Sequence, residues 1–237
     1  IKQNTPTIIG LLPTNAFSVI EQICLERKSR LIQSNSAIAN IIGINPDFSM
    51  QYQIKTNSNH YIINSPLVGN HQAINHSLAV LAAESVSQHF SVSQQSIYDG
   101  VKNVVQNTGL CGRFQIISHS PKIILDTAHN PAAFEKLAET TQLLFPETKF
   151  NLVFGAMSDK NVSEILDKIK LITNLLIIAQ PSTRRAMPAN SIKQIADKLQ
   201  IESIIIENPQ QAYEYAKSKN EPVIVAGSFY LLADINY

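Results

Sequence analysis

The spacing of hydrophobic residues predicts a strand, a helix and a hairpin at the start of the chain. Pro6 to Leu12 is a short apolar strand, and an amphipathic helix opens at Thr14, with Phe17 and Cys24 among its apolar residues. Further on, Ile54 to Ile63 alternates around a polar Asn-Ser-Asn turn, which indicates a β-hairpin. The first region therefore combines helix and sheet.

Two helices are predicted after the hairpin. The first is rich in Ala and Leu and runs from Gln72 to about Gln88. Its residues spaced for burial are Ile74, Leu78, Leu81 and Ala82. The second runs from the N-cap candidate Ser93 to about Val105.

Beyond Arg113 the pattern changes to a regular alternation of apolar strands and helices. The predicted strands are Lys122 to Leu125, Phe150 to Gly155, Leu175 to Ala179, Ser203 to Ile206 and Val223 to Ala226. Helices are predicted from about Pro131, Val162, Ala189 and Pro209. Strands of continuous apolar residues that alternate with helices favour an α/β fold with a mostly parallel sheet covered on both faces. This change in pattern predicts two domains, residues 1–116 and residues 117–237.

Composition narrows the function classes. The chain has 237 residues, with 19 Lys and Arg against 18 Asp and Glu, so no net field favours nucleic acid or an anionic membrane. No apolar run approaches the roughly 20 residues of a membrane span. Cys24 and Cys111 have no disulfide or zinc-site spacing, which fits a cytoplasmic protein. We therefore expect small-molecule partners, neither nucleic acid nor membrane.

Three polar clusters follow predicted strands. They are Asp126-Thr127-Ala128-His129-Asn130, Gly155 to Lys160, and Gly227-Ser228. Ligands of parallel sheets bind at the carboxyl ends of strands, so these clusters predict a site along one edge. Each also has a structural interpretation, since caps, solvated first turns and Gly-Ser turns are common at such places.

Five short strings along the chain carry a family resemblance: Leu67-Val68-Gly69-Asn70-His71-Gln72 with Asn75, Gly112-Arg113-Phe114-Gln115, Asp126 to Pro131, Ser158-Asp159-Lys160-Asn161, and Gly227 to Leu231. In these strings the chain resembles the folylpolyglutamate synthase and dihydrofolate synthase branch of the Mur ligase superfamily. They occur in family order along nearly the whole chain. The resemblance implies the C-terminal part of a central P-loop-type ATPase domain, followed by a Rossmann-like glutamate-ligase domain.

The family implied by the resemblance joins a folate or dihydropteroate carboxylate to L-glutamate through an acyl phosphate, using ATP and Mg²⁺. The glycine-rich phosphate loop and metal-binding residues of that family do not appear in this sequence, and no metal ligand is assigned in this chain. We therefore expect a fragment that is inactive alone, derived from a ligase of folate biosynthesis and one-carbon metabolism. A monomer is the expected state of the parent enzyme.

The resemblance also implies roles for individual residues. Asn75 would contact the adenine edge, and Arg113 would contact the ATP phosphates. Asp126 would accept hydrogen bonds from the ribose, and His129 would lie beside the nucleotide. Arg113 and His129 are the catalytic candidates. Candidates for binding glutamate are Asn130, Lys160, Arg184 and Ser228, with Ser228 ranked first and Arg184 last.

Some positions depart from the family pattern, and alternatives stay open. Leu110-Cys111 stands where many relatives have Trp-Pro, Thr127 replaces a usual Gly, and Gln115 replaces a frequent Glu. One alternative is another Mur-type amino-acid ligase, against which Asp126 to Pro131 argues. Another is a non-enzymatic domain of the same fold that binds a ligand or a partner. The sequence does not separate dihydrofolate synthesis from polyglutamate extension.

Overall fold

A computed structural model describes residues 1–87 and 89–237 and divides them into two compact units, Ile1–Gly109 and Leu110–Tyr237. The change of pattern in the sequence instead predicts a boundary after residue 116. Two hydrogen bonds explain the earlier start of the second unit. Thr127 N donates to the carbonyl oxygen of Gly112 at 2.8 Å, and Phe114 N donates to Asp126 Oδ2 at 2.8 Å. Residues 112–114 are thereby tied to a strand end of the second unit.

The first unit contains two small sheets and four helices among its described residues. In order, its elements are β1 (Thr7–Ile9), α1 (Thr14–Glu26), β2 (Leu31–Gln33), β3 (Ala37–Ile44), β4 (Met50–Thr56), β5 (His60–Ser65), α2 (Asn70–Val86), α3 (Gln94–Lys102) and α4 (Val104–Thr108). Strands β1 and β2 form a parallel pair, and β3, β4 and β5 form an antiparallel sheet. The predicted hairpin is confirmed as β4 and β5. The strand predicted from Pro6 to Leu12 is shorter than expected.

Strand β3 was not predicted, because its inward-facing residues are small and its large apolar residues are exposed. Its isoleucines Ile38, Ile42 and Ile44 point outward and are exposed. Ala37 and Ala39 face inward instead and pack against the core of the first unit. Small inward residues and large outward ones reverse the usual amphipathic signal of a half-buried strand.

Helix α2 was predicted, but its buried face was partly wrong. Ile74, expected to be buried, is 39% exposed. The buried residues are Gln72, Ala73, His76, Ser77, Val80 and Leu81. Small and polar side chains therefore face the sheet, where the His76 ring packs edge-on against Tyr52 at a centroid distance of 4.8 Å. The predicted last residue of this helix, Gln88, lies outside the described residues.

The next predicted helix begins as expected and ends early. Ser93 caps α3, because its side chain accepts a hydrogen bond from the N–H of Ser96. The helix predicted to continue to about Val105 breaks at Asn103, and the short helix α4 follows.

The second unit alternates strand and helix. Its elements are β6 (Gln115–His119), β7 (Lys122–Leu125), α5 (Pro131–Leu144), β8 (Phe150–Phe154), α6 (Val162–Ile169), β9 (Thr173–Ile178), α7 (Ala189–Lys198), β10 (Ser203–Ile205), α8 (Pro209–Ser218), β11 (Val223–Ala226) and α9 (Phe229–Ala233). The six strands form one sheet in the order β10-β9-β8-β11-β7-β6, with β6 antiparallel to β7 and the other pairs parallel. The predicted α/β fold with a mostly parallel sheet is confirmed.

Helices cover both faces of this sheet. On one face Leu125, Val153 and Ile177 pack with residues of α8 and α9 in one buried cluster. On the other face Phe154 contacts Phe134 of α5, with ring centroids 5.7 Å apart. All five predicted strands and four predicted helices are present, whereas the antiparallel β6 and the five-residue α9 were not predicted. None of the described helices is long and apolar enough to cross a bilayer.

Candidate functional site

A buried apolar strand, β7, delivers Asp126 to the edge of the sheet in the second unit. The N–H of Asp126 donates to the carbonyl of Val225 at 2.9 Å, which continues the pairing of β7 with β11 by one residue. Asp126 Oδ1 accepts from Ala128 N at 2.7 Å, and Oδ2 accepts from Phe114 N at 2.8 Å. Burial raises the pKa of Asp126, while these N–H groups and the nearby Arg113 oppose that rise.

Arg113 lies beside this carboxylate with its side chain held on two sides. Its Nη1 donates to Thr127 Oγ1 at 2.7 Å, and its Cζ lies 5.6 Å from the centroid of the Phe229 ring. The second distance is within the range of a cation–π contact. No carboxylate among the described residues is close enough to form an ion pair with Arg113. A surface ion pair, which would be a purely structural role for Arg113, is therefore not formed among the described residues.

The backbone around Arg113 is unusual. Gly112 has φ +64° and Phe114 has φ +46°, so residues of left-handed backbone conformation stand on both sides of the arginine. A non-glycine residue such as Phe114 adopts this conformation only at an energetic cost of about 1–3 kcal/mol. Its N–H is held by Asp126 Oδ2. This bond and the turn at Gly112 direct the Arg113 side chain toward Thr127.

His129 is oriented by the same loop. Its Nδ1 lies 3.0 Å from the carbonyl oxygen of Thr127. Because a carbonyl only accepts hydrogen bonds, Nδ1 must carry the proton, which leaves Nε2 as the acceptor of the neutral ring. The ring centroid lies 6.5 Å from that of Phe229. The Arg113 and His129 side chains thus flank one exposed aromatic ring.

Asn130 and Ser228 cap the helices that begin at this edge. Asn130 Oδ1 accepts from Ala133 N at 2.9 Å at the start of α5, and Ser228 Oγ accepts from Leu231 N at 3.0 Å at the start of α9. Ser228 is buried. The capping interpretation considered for Asn130 therefore applies, and the Gly-Ser turn after β11 also has a capping function.

The ends of β8 and β11 meet through two glycines. A Cβ added to Gly227, which has φ +139°, would lie 2.3 Å from the carbonyl oxygen of Gly155. A Cβ added to Gly155 would lie 2.7 Å from the carbonyl oxygen of Ala179. Three strand ends are therefore packed backbone to backbone, and only glycine fits at these two positions.

Lys160 and Arg184 lie on loops of the same edge, after β8 and β9. Lys160 Nζ pairs with Asp159 at 2.9 Å, and Arg185 contacts the same carboxylate at 3.5 Å. The hydrogen bond from Lys160 lowers the pKa of Asp159. Arg184 itself is exposed. The arrangement places cations on these loops, where exposed ion pairs of this kind contribute little to stability.

Asn75 belongs to the first unit, where it lies on an exposed part of α2. Its Nδ2 donates to Gln72 Oε1 at 2.9 Å. Asn75 lines a mostly apolar cavity of about 380 Å³ whose walls come from α2, α3 and α4. Ala79, Val80 and Val101 are among the apolar residues of the cavity. Small-molecule sites commonly have this combination of apolar walls and a few polar groups.

The structure thus brings Arg113, Asp126 and His129 into one cluster and places Asn130 and Ser228 at adjoining helix starts. Two side chains without an assigned role, Thr127 and Phe229, contact Arg113. Both lie inside strings that carry the family resemblance, Asp126 to Pro131 and Gly227 to Leu231, and this was the signal in the sequence that could have pointed to them. The described residues contain no group of three or more His, Cys, Asp or Glu side chains able to hold a metal ion.

Comparison with known proteins shows where this architecture occurs. Residues 112–229 match the family model of the Mur ligase glutamate ligase domain. The dihydrofolate synthase/folylpolyglutamate synthase of Bacillus subtilis is 28% identical over 243 residues, covering 99% of this chain and 55% of that relative. The chain therefore spans about half the length of a relative that matches it almost from end to end.

Solved structures give the same result. The folylpolyglutamate synthase of Thermotoga maritima superposes with a TM-score of 0.79 at 26% identity, covering 98% of this chain and 53% of the other. The Mycobacterium tuberculosis folylpolyglutamate synthase complexed with ADP and AMPPCP has a TM-score of 0.83 at 21% identity, over 96% of this chain and 53% of that one. The second likeness concerns the fold alone. Residues 112–229 thus match a Mur ligase glutamate ligase domain, and the chain as a whole is similar to about half of a folylpolyglutamate synthase or dihydrofolate synthase.

Proposed function

We propose that this chain is part of an ATP-dependent ligase that joins a folate or dihydropteroate carboxylate to the amine of L-glutamate. The observation that carries the proposal is the Arg113 guanidinium. It is held in place by Thr127 and Phe229 and forms no direct ion pair within the described chain, while both oxygens of the nearby Asp126 carboxylate accept backbone N–H groups. A fixed cation without a direct ion-pair partner fits a site for an anionic ligand.

The nucleoside end of ATP would use the Asp126 loop. Both carboxylate oxygens of Asp126 already accept one backbone N–H, but each oxygen has a second lone pair for a ribose hydroxyl. His129 would lie beside the nucleotide with Nε2 as a hydrogen-bond acceptor. Asn75, in the wall of the α2 cavity, would present its amide to the adenine edge. The M. tuberculosis neighbour was solved with ADP and AMPPCP, which supports a nucleotide site in this fold.

Arg113 would contact the phosphates. ATP supplies the phosphoryl group that converts the folate carboxylate into an acyl phosphate. Positioning and charge neutralisation carry most of such a transfer, so the contribution of Arg113 is to offset negative charge that develops in the transition state. Because the guanidinium is planar and held before ligand arrives, little reorganisation is needed when charge develops.

The parent enzyme would require Mg²⁺ for the same transfer. The residues of this chain that the structure describes do not form a carboxylate or histidine cluster suited to a cation. We therefore assign no metal ligand here, and the phosphate loop and metal ligands would belong to the part of the parent enzyme outside this chain. The 237-residue chain alone should then show little ATP turnover.

Glutamate would be bound by the loops after β7, β8, β9 and β11. The hydroxyl hydrogen of Ser228 and the amide N–H groups of Asn130 remain donors, since their oxygens serve as caps. Lys160 would contribute a cation, in exchange with its present partner Asp159. Arg184, exposed on the β9 loop, is the least favoured of the four. A dicarboxylate needs cations and N–H or O–H donors of this kind.

The remaining features of the proposed enzyme are its setting and partners. We propose a cytoplasmic, monomeric parent enzyme that acts on small molecules and binds neither nucleic acid nor membrane. The near-equal numbers of acidic and basic residues support the absence of nucleic-acid binding. Cys24 is buried and Cys111 is exposed, both as free thiols, which fits a reducing compartment.

A substitution of Arg113 tests the proposal. In a protein that carries this chain with a phosphate-loop half, ADP release should require a folate or dihydropteroate together with glutamate. Arg113→Ala should lower kcat/KM for ATP by about a hundredfold, the usual loss when one preorganised donor to the transition state is removed. Arg27→Ala, at an exposed arginine after α1, is the matched control. Unchanged ADP release by Arg113→Ala would exclude the phosphate role.

A further inference from the structure

Thr127 makes a contact with Arg113 that a residue without a hydroxyl could not make. Its Oγ1 accepts from Arg113 Nη1 at 2.7 Å and donates to the carbonyl oxygen of Gly112 at 3.0 Å. Thr127 is buried, with 1% of its surface exposed. Because the hydroxyl hydrogen is committed to Gly112, a lone pair of Oγ1 must face the guanidinium. The direction of the hydrogen bond is therefore fixed by the backbone.

Phe229 acts on the same guanidinium from another side. Its ring centroid lies 5.6 Å from Arg113 Cζ, and more than half of the Phe229 side chain is exposed. Single exposed apolar side chains are common at protein surfaces, so the contact with Arg113, and not the exposure of the ring, is the informative observation. The next residue, Tyr230, is equally exposed, but no ring contact links it to Arg113 among those described.

We propose that Thr127 and Phe229 are positioning residues that hold the Arg113 guanidinium in one orientation before the nucleotide binds. The inference rests on the proposed function, because it assumes that Arg113 contacts ATP. Thr127 fixes one edge of the guanidinium through a hydrogen bond, and Phe229 limits its movement out of that plane. The guanidinium N–H groups not bound to Thr127 then remain donors for an incoming anion. Preorganisation of this kind raises affinity by reducing the entropy lost on binding.

The first measurement is structural and uses the 237-residue chain. NMR signals of the Arg113 side-chain nitrogens report rotation about the Nε–Cζ bond. In the wild type this rotation should be slow, because Thr127 holds one amino group. Thr127→Val, which keeps the shape and removes the hydroxyl, should accelerate it, and Thr127→Ser should restore it. Equal rotation in all three proteins would overturn the inference. The carbonyl of Gly112 keeps its bond from Thr127 N in every variant.

The second measurement is kinetic and uses a protein that carries the phosphate-loop half. Thr127→Val should raise KM for ATP about tenfold, the effect expected when a hydrogen bond to a charged group is lost. Phe229→Leu should raise KM for ATP about two- to fivefold, the effect expected when an exposed cation–π contact is lost. KM for glutamate should not change, whereas a merely misfolded fraction would lower kcat alone. Thr127→Ser should behave as the wild type, and Tyr230→Ala is the control for Phe229. An unchanged KM for ATP in both Thr127→Val and Phe229→Leu would refute the positioning role.

A double-mutant cycle separates this inference from the proposed function. If Thr127 acts through Arg113, Thr127→Val should have no further effect on KM for ATP in an Arg113→Ala background. Additive effects would show that Thr127 acts independently and would overturn the inference. If Arg113→Ala alone leaves ATP kinetics unchanged, the phosphate role itself fails, and the NMR result still decides whether the side chain is held.

Discussion

His76 lies in the buried face of α2 with 4% of its surface exposed, and acidification should therefore destabilise the first unit. Burial lowers the pKa of His76 from 6.5 to about 4, with a smaller contribution from His71. The unfolded chain takes up a proton at this side chain below pH 6.5, but the folded chain does not until about pH 4. Stability is thus fully present above pH 6.5 and is lost as the pH falls toward 4.

The magnitude follows from the gap between the two pKa values. At about 1.4 kcal/mol per pKa unit, the change from 6.5 to about 4 corresponds to roughly 3 kcal/mol of unfolding free energy. Urea unfolding at pH 7 and at pH 4 would measure the loss, with amide NMR signals of α2 as the probe. Local signals are needed because the two units need not unfold together.

A non-titrating variant isolates the contribution of His76 from that of other groups. His76→Gln keeps a polar side chain of similar length, and its stability should fall between pH 7 and pH 4 by about 3 kcal/mol less than that of the wild type. His60→Gln, at an exposed histidine of β5, is the control and should reproduce the wild-type loss. Identical losses for His76→Gln and the wild type would refute the reasoning.

Three further substitutions, each with its own measurement, test backbone packing, a buried hydrogen-bond acceptor and the apolar core. Gly227→Ala should strongly destabilise the second unit, because the added Cβ would lie 2.3 Å from the carbonyl oxygen of Gly155. Gly100→Ala, where a Cβ meets no atom within 4 Å, should instead raise the free energy of unfolding by about 0.5–1 kcal/mol. Equal melting temperatures for Gly227→Ala and Gly100→Ala would contradict this prediction. Glu84→Ala should lower the free energy of unfolding by roughly 2–3 kcal/mol, because the hydroxyls of Thr56 and Tyr61 and the amide of Asn59 lose their shared acceptor, Oε1. Urea unfolding measures this loss, with Glu21→Ala, at an exposed residue of α1, as the control. Equal unfolding midpoints for the two variants would show that the hydrogen bonds to Glu84 do not stabilise the fold. Phe134→Ala, at a fully buried side chain, should cost about 3–5 kcal/mol by the same assay, and a loss below 1 kcal/mol would show that the core refills the space.

The second unit was more predictable from sequence than the first, for a physical reason. Strand β11, for example, is buried at all four residues, and these form a continuous apolar run that indicates a strand covered on both faces. In the first unit the buried face of α2 contains Gln72, His76 and Ser77, and β3 turns its isoleucines outward. Hydrophobicity alone therefore misplaces Ile74 of α2 and hides the buried face of β3, although Leu81 is buried as predicted.

The candidate site was predictable by position but not by contact. Asp126 and His129 could be placed at a strand end because a polar string interrupts an apolar run at a helix start. The hydrogen bond from Arg113 to Thr127 could not be foreseen, because it depends on the left-handed backbone of Gly112 and Phe114. Likewise, the approach of Phe229 depends on α9, a helix too short to give a periodic signal.

The close packing around Gly112 restricts which residue can occupy this position beside Thr127 and Leu232. A Cβ at residue 112 would lie 2.7 Å from Thr127 Cγ2 and 2.8 Å from Leu232 Cδ2. The methyl group of Thr127 thus occupies the space that a side chain at residue 112 would need. With threonine at residue 127, residue 112 is therefore restricted to glycine, whereas serine at residue 127 would keep the hydroxyl and remove this methyl group. Even then Leu232 Cδ2 would lie 2.8 Å from the added Cβ, so two neighbours and the positive φ of residue 112 all favour glycine there.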